Sequence, residues 1–490
     1  MGNASSSQLR PAPVSTPAPV AGHYRWVICA LLFFATTINY VDRQILSLLK
    51  EILDQKIGWT NEQFGLVNSV FQVTYGVGLL GFGWLVDRFG TKIGYTISIC
   101  AWSIAAAAHA LVGNFAGFAL ARGALGLGEG GNFPTAIKAV ALWFPKAERA
   151  FATSIFNAGT NAGALLAPAV IPWLAFTYGW QWAFVGAGIA GLIWLCFWLA
   201  WYDVPQKCKR VGNAELSYIQ SWSDDHTQKN PRIHPSSSQG CHFPLSRSGE
   251  AGRGEEALSS TPQPGDRCHE QLSWGGLLRC RETWSFIIAK FLTDPVWWFF
   301  LIWLPDYFKR TRGLDIKHSW GHIVTIYGIV TVLSVFGGWI TGYLARSGWS
   351  ITRARKTGMF LFALCVLPVL AVTAVGDWAA VLLIGLAASA HQAWSANLYT
   401  TVSDMFPRDA VASVIGIGGM AGSAGGFLFP ILTGWLIDLF QARGNATPAY
   451  TILFCICGCM YLIAFALNHL CAPRFEPIAI HPAISPAPAA

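Results

Sequence analysis

The sequence predicts an all-α integral membrane protein whose twelve transmembrane helices form two pseudo-symmetric six-helix bundles. Three observations carry that expectation. Of 490 residues, 53% are hydrophobic and only 12% are Asp, Glu, Lys or Arg, about half the ~25% charge of a soluble domain. The apolar residues gather into twelve stretches, each long enough to cross roughly 30 Å of hydrocarbon at about 1.5 Å per helical residue. The second half of the chain also repeats special residues of the first.

Six spans are expected near 25–48, 62–86, 94–112, 115–140, 150–173 and 179–201, and six more near 284–306, 320–345, 357–375, 378–402, 410–438 and 449–470. The first, fifth and eleventh have the least distinct ends, being rich in Gly, Asn or charge. Residues 1–22 are rich in Ser, Pro and Ala, lack the apolar stretch of a secretory signal and read as a disordered cytoplasmic tail. Their opening, Met1-Gly2-Asn3-Ala4-Ser5-Ser6, fits a loose myristoylation pattern that small-residue tails match by chance. Residues 23–203 are the N-terminal bundle, 283–472 the C-terminal bundle and 473–490 a second cytoplasmic tail. Residues 204–282 form a polar cytoplasmic loop. Within it, 224–270 has the Pro, Ser, Gly and mixed charge of a disordered segment, and Ala214 to Trp222 reads as a short surface helix.

The repeat is gap-free where it shows. Phe144-Pro145 matches Phe406-Pro407 at a shift of 262 residues, and at the same shift Gly163 matches Gly425, Pro168 matches Pro430 and Trp173 matches Trp435. Such a repeat gives two bundles of one orientation, related by an axis along the membrane normal. The net charge of +8 fits this topology rather than nucleic-acid binding. Most Lys and Arg lie in segments on the side of the two tails, as the positive-inside rule requires when both termini are cytoplasmic. Lys309, Arg310, Arg312 and Lys317, expected in the loop after the seventh span, are the exception.

Several function classes drop out. The 12 cysteines set no disulfide framework. Cys455, Cys457 and Cys459 alternate along a helix, so neighbours point about 200° apart and cannot share a metal. No G-x-x-x-x-G-K-[ST] phosphate loop, G-x-S-x-G elbow or H-E-x-x-H pair occurs. The expectation is a monomer with no cofactor, no metal and no enzymatic activity, driven by an ion or solute gradient.

The loop after the second span reads Gly83-Trp84-Leu85-Val86-Asp87-Arg88-Phe89-Gly90-Thr91-Lys92. Gly83 permits close helix approach and Gly90 a tight turn. Asp87 can cap a helix N-terminus or pair with a cation. The corresponding loop in the second half keeps Gly338 and Gly342 but has no acid where Asp87 would fall. This segment, with Gly83, Asp87, Arg88, Gly90 and Lys92, resembles the G-x-x-x-D-R-x-G-x-[RK] signature of the major facilitator superfamily, which implies a conformational latch.

Five other segments resemble the hexuronate transporters among the anion:cation symporters of that superfamily. They are Asn39 to Arg43, Gly126 to Pro134, Phe156 to Gly163, Lys290 to Trp298 and His391 to Asn397. The resemblance spans the chain apart from residues 1–22 and 224–270. It implies the major facilitator fold and proton-coupled uptake of a sugar-acid anion such as galacturonate or glucuronate across a bacterial inner membrane. Galactonate, glucarate and tartrate carriers look similar in the first two segments, so another organic anion is the alternative. A membrane sensor is a second one.

Charges inside the spans mark the candidate site, because each costs at least about 2.5–3.5 kcal/mol at a helix centre. Arg43 offers a planar fork for a carboxylate. Tyr40 and Asn39 precede it by three and four positions on the same helical face, where they can meet sugar hydroxyls. The resemblance gives the Arg and Tyr the same task. Asp42 points about 100° away, and is either a proton site or the partner of another cation. Arg122 and Glu129 share a stripe of the fourth span. Glu129, between Gly128 and Gly130, is the first candidate for the coupling proton, and the resemblance links Arg122, through R-x-x-x-G with Gly126, to proton coupling. Lys290, Asp294 and Trp297 form one polar and aromatic face, suited to a sugar or to a self-satisfied Lys–Asp pair. Asn157 and Asn161 can serve sugar hydroxyls or helix–helix bonds. His391, Gln392, Asn397 and Tyr399 make a looser set on the tenth span.

Overall fold

A computed structural model describes residues 22–59, 61–220, 274–313 and 316–478. The expected disorder of 224–270 and of the N-terminal tail, and the myristoylation pattern, lie outside the described residues. Of the expected C-terminal tail, only 473–478 are described, and these are docked: the Phe475 amide donates to Thr352 Oγ1 and the Ile478 amide to the Met405 carbonyl.

The helices run in chain order as α1 (Tyr24–Leu48), α2 (Lys50–Ile57), α3 (Asn61–Phe89), α4 (Thr91–Ala108), α5 (Phe115–Glu129), α6 (Asn132–Trp143), α7 (Lys146–Tyr178) and α8 (Trp180–Trp201). The short α9 (Asn213–Gln220) and α10 (Trp274–Arg279) follow. Then come α11 (Arg281–Arg312), α12 (Ile316–Arg346), α13 (Ile351–Val366), α14 (Asp377–Met405), α15 (Val411–Gln441) and α16 (Thr447–Cys471). Among the described residues, eleven helical segments are long and apolar enough to cross a membrane. The fourth crossing is made by α5 and α6 end to end. It breaks at Gly130-Gly131, immediately after Glu129, where the sequence predicts one unbroken span. Glycine at 130 lets the crossing lie against α3, where a Cβ would strike the backbone of Gly78 and Leu79.

Two other expectations change. The seventh span extends to Arg312, so Lys309, Arg310 and Arg312 belong to the last turn of α11 rather than to a loop. Cations there complement the helix dipole. Arg310 pairs with Asp306 at 2.8 Å, Arg312 with Asp377 at 3.1 Å, and Gly313 ends the helix in the left-handed conformation at φ 64°. The short helix α9 is anchored rather than lying free on the surface. Glu215, 1% exposed, accepts from the first two amides of α1, Tyr24 and Arg25, each at 3.1 Å. It also pairs with Arg25, which reaches Glu148 in α7 at 3.0 Å.

Spans one to six pack as α1 on α7, α3 on α5 and α4 on α8. The second half packs α11 on α15 and α16, and α14 on α12 and α13. The bundles meet through α3 against α15 and α7 against α12. The sequence repeat becomes a packing repeat. Phe144 and Phe406 both hold the extended backbone required before a proline, at φ −121° and −97°, and each ends a crossing. A Cβ on Gly163 would lie 2.6 Å from the Thr37 carbonyl of α1, and one on Gly425 2.6 Å from the Phe291 carbonyl of α11. Both glycines therefore let a helix close onto its partner's backbone. Large apolar side chains such as Ile104, Leu120 and Phe176 remain exposed on the outside, as a lipid-facing surface requires.

Candidate functional site

A polar cavity lies between the bundles. The N-terminal bundle supplies Tyr40, Arg43, Tyr75, Phe133, Asn157 and Thr160. The C-terminal bundle supplies Lys290, Asp294, Trp297, His391, Gln392 and Tyr399.

On the N-terminal wall, Arg43 Nε lies 2.7 Å from Glu129 Oε2. The guanidinium is packed among Tyr75, Tyr40 and Phe71, at 4.5, 4.8 and 5.3 Å from their ring centroids. This aromatic box holds the fork flat and dry. One of its terminal nitrogens, Nη2, and the second oxygen of Glu129 are buried without a hydrogen-bond partner. Behind the pair, α1 contributes Asp42 and α5 contributes Arg122. Both are buried, and Arg122 donates to the Arg43 carbonyl at 3.4 Å. Two acids and two cations thus form one buried, charge-balanced cluster between α1 and α5. Neither oxygen of Asp42 has a donor, so its ionised form lacks the compensation that burial demands.

On the C-terminal wall, Lys290 Nζ sits 2.6 Å from Asp294 Oδ2 and donates to the Tyr399 hydroxyl at 2.8 Å. The Trp297 indole stacks on the His391 imidazole at 5.4 Å and 9°, and His391 Nδ1 meets the Tyr461 hydroxyl at 2.5 Å. Asn157 Nδ2 donates to Gln392 Oε1 at 2.5 Å, a bond that joins the bundles across the cavity. Among the described residues, no group of three or more His, Cys, Asp or Glu is placed to hold a metal.

The cavity therefore gathers Arg43, Tyr40, Asn157, Lys290, Asp294, Trp297, His391 and Tyr399. It does not gather Asn39, Asn161 or Asn397. Asn39 is fully buried beside Glu129. Asn161 is fully buried one turn beyond Asn157, with neither amide atom bonded. Asn397 donates to the Ala393 carbonyl of its own helix at 2.8 Å. Sequence reasoning missed Tyr75 and Thr160. Tyr75 lies in an apolar run of α3 with no charge to mark it, and Thr160 differs from a helix-bonded threonine only by its position between Asn157 and Asn161.

The bundles are tied at the face that holds both ends of the described chain. The Asp87 carboxylate, at the end of α3, pairs with Lys138 of α6 at 2.8 Å. It also accepts from the amides of Ala412 and Ser413 at 3.2 and 2.6 Å, in the first turn of α15. A Cβ on Gly83 would meet the Ala412 carbonyl at 2.6 Å, so glycine permits this approach. Gly90 turns at φ 85°, Lys92 pairs with Asp203 at 3.2 Å, and Arg88 is exposed. A second tie is built on Asp404, fully buried at the end of α14. Arg149 of α7 lies 3.5 Å and Arg355 of α13 3.3 Å from its carboxylate. Arg149 also donates to the Ser403 carbonyl at 2.6 Å, and Arg355 to the Lys146 carbonyl at 2.9 Å. Neither Lys138 nor the Asp404 cluster stands out in the sequence reading.

Two six-helix bundles around a polar cavity, tied by charges at one face, define a multi-pass membrane carrier. Residues 32–430 match the Major Facilitator Superfamily, and the chain belongs to it. It is 27% identical over 436 residues to the hexuronate transporter of Escherichia coli K12, covering 88% of this chain and 90% of that one. It is 29% identical over 438 residues to a probable galactarate/D-glucarate transporter of Bacillus subtilis, covering 86% and 88%. The D-galactonate transporter of E. coli O6:H1 is 26% identical over 426 residues, covering 86% and 91%. Among solved structures, a proton:xylose symporter superposes with a TM-score of 0.66 at 16% identity, covering 92% of this chain and 97% of that one. These relatives are transporters, and the chain is a transporter rather than an enzyme.

Proposed function

We infer that this protein carries a sugar-acid anion, a hexuronate such as galacturonate or glucuronate, together with a proton by alternating access. The observation that carries the reading is the pairing of Arg43, which lines the cavity, with the buried Glu129 at 2.7 Å. A buried carboxylate already occupies the cation best suited to bind a substrate carboxylate. Glu129 and the substrate then compete for one guanidinium. Protonation of Glu129 removes its charge and frees Arg43, and the arriving anion restores neutrality at the cation. Tyr40, Tyr75 and Asn157 are placed to meet hydroxyls, and Trp297 offers a flat face for the C–H side of a sugar ring. Asp42 is a second proton acceptor in the same cluster, within electrostatic reach of Arg122 and Arg43. Occupation by both ligands must favour the rocking of the bundles by binding one state more tightly than the other.

The relatives' names support a sugar acid as the class, and their spread from hexuronate to galactarate and galactonate makes another organic anion the second reading. The membrane is taken to be a bacterial inner membrane with the tied face and both termini cytoplasmic. Counterflow of labelled galacturonate in proteoliposomes tests the function directly. Arg43→Ala is expected to abolish saturable binding. A variant that binds galacturonate with unchanged affinity refutes the clamp. Glu129→Gln is expected to keep exchange and lose proton-driven accumulation, and unchanged accumulation removes Glu129 from coupling.

A further inference from the structure

The Lys290–Asp294 pair repeats, on the opposite wall, the chemistry of Arg43–Glu129. The packing register in which Gly163 meets Thr37 and Gly425 meets Phe291 makes Tyr40 correspond to Asp294 and Arg43 to Trp297. By that register Asp294 stands about one helical turn, and Lys290 about two turns, from the level of Arg43, with one pair on each bundle. Both Lys290 and Asp294 line the cavity. The Lys290 side chain is 4% exposed and that of Asp294 18%, so the acid is the member more open to the cavity. Helix α15 leaves it room: a Cβ on Gly422 would collide with Asp294 Oδ2.

The surroundings leave this pair as the local charge. From α14, Tyr399 and His391 face it, and from α16, Tyr461 does so. Helix α15 presents Gly422 and Ser423, which do not titrate in the working range. Tyr399 bonds Lys290, and His391 is occupied by Tyr461 and Trp297. Across the cavity stands Arg43, and Tyr40 lies within electrostatic reach of both Arg43 and Lys290. A molecule with an anionic group at each end thus meets a cation at each end.

We propose that Lys290 and Asp294 form a second, protonatable anion subsite, which takes the far carboxylate of an aldarate, a sugar acid carboxylated at both ends, with one more proton than a hexuronate brings. The proposal rests on the carrier reading above, which places the first carboxylate on Arg43. Charge balance sets the number of protons. Arg43, Glu129, Lys290 and Asp294 sum to zero. A carboxylate that replaces Asp294 at the Lys290 ammonium leaves Asp294 as a buried, unpaired anion, which is strongly unfavourable. A proton taken from the aqueous side open to the cavity converts Asp294 to the neutral acid and leaves on the other side with the substrate. A hexuronate presents hydroxyls at its far end, so Lys290–Asp294 stays paired and only the proton on Glu129 moves. The number of protons follows the charge of the cargo, and both cycles are electroneutral.

The test is the proton-to-substrate ratio of the full chain in proteoliposomes, from reversal potentials under opposed pH and substrate gradients. Galacturonate is expected to move with one proton and glucarate with two. Asp294→Asn is expected to lower the glucarate ratio to one and make its uptake carry net negative charge, which a merely structural role for Asp294 would not produce. Lys290→Gln is expected to weaken glucarate at least about tenfold more than galacturonate. Glucarate moving with a single proton in the unaltered protein overturns the proposal, and that measurement needs no variant to fold. Galacturonate carried without any glucarate binding also overturns it and leaves the carrier reading intact. Failure to carry either acid overturns the carrier reading itself.

Discussion

Asp87→Asn isolates the charge of the first tie while keeping its shape. The carboxylate holds Lys138 at 2.8 Å and two amides of α15 at 3.2 and 2.6 Å. Hydrogen bonds to a charged group contribute roughly 1.5–3 kcal/mol against about 0.5–1.5 for neutral ones. Asparagine keeps one acceptor oxygen for one amide and turns its NH2 to the other, whose bond is lost, so the two together lose about 3 kcal/mol. Interaction with the α15 N-terminus as a dipole adds about 0.3–1 kcal/mol. Lys138 loses its anion at 6% side-chain exposure but keeps the Val86 carbonyl at 3.3 Å, which moderates the roughly 3–5 kcal/mol seen when a buried pair is broken. The Asp87–Lys138 pair lies wholly within the N-terminal bundle, so its loss does not favour opening. A shift of about 3 kcal/mol toward the open face is the working figure, or roughly a hundredfold in the equilibrium. Spin labels at Arg88→Cys on α3 and Ser347→Cys after α12, both exposed at the tied face, read the opening as a longer interlabel distance by pulsed electron resonance. A closed-to-open ratio near ten to one would invert to about one to ten. An unchanged distance distribution in Asp87→Asn refutes the assignment of Asp87 as a gate.

Three further outcomes are expected. Asp404→Asn leaves Arg149 and Arg355 without their shared anion and should open the same face in the same distance measurement; a closed population equal to the parent's counts against the second tie. Gly163→Ala places a Cβ 2.6 Å from a backbone carbonyl and should cost about 1–3 kcal/mol, seen as a lower melting temperature in detergent. Gly81→Ala, which meets nothing within 4 Å, is the neutral control, and equal melting of the two would sink the close-packing account. Glu215→Gln removes the charge from the α1 N-terminus and should cost about 0.5–2 kcal/mol locally, measured as faster hydrogen exchange in α9.

Much of this architecture is legible in the sequence because the bilayer imposes a length and an apolar composition on every crossing. Eleven spans follow from that constraint alone. The fourth does not show its break, because Gly130-Gly131 reads equally well as helix packing and as interruption. The candidate site divides along the same line. Intramembrane charge singles out Arg43, Glu129, Lys290 and Asp294, since an ionised group there is costly wherever it points. Helical spacing groups Asn39 with Tyr40 and Arg43, yet a face is wide, and the cavity takes Tyr40 while Asn39 turns to Glu129 behind it. Uncharged Tyr75 leaves no trace at all, because an apolar helix uses tyrosine for packing as readily as for a binding wall. Asp404 and Arg149 lie near a span end, where charge is ordinary, so their pairing across the bundles depends on tertiary contact.

The second half of the repeat lacks an acid at the position of Asp87, and the structure explains how the face is tied without one. Pseudo-symmetry exchanges the α3–α15 contact with the α12–α7 contact. In the first, an acid of the N-terminal bundle caps a helix of the C-terminal bundle. In the second, Gly338 still lets α12 lie against the Ala150 backbone of α7, but the acid has moved to Asp404 on α14, and the N-terminal bundle contributes the cation Arg149. The sign of the contribution is thus reversed between the two seams. Each bundle presents one acid and receives one positive partner, a helix N-terminus in one seam and a guanidinium in the other. On the alternating-access reading the bundles rock as units, and opening that face then breaks both seams together. The energy must come from the cavity. Only a cargo that leaves Arg43 and Glu129 both neutralised removes the cost of carrying an unpaired buried charge through the transition. On this reading, the ties at the face set the height of the barrier, and charge balance at Arg43 determines which cargo lowers it.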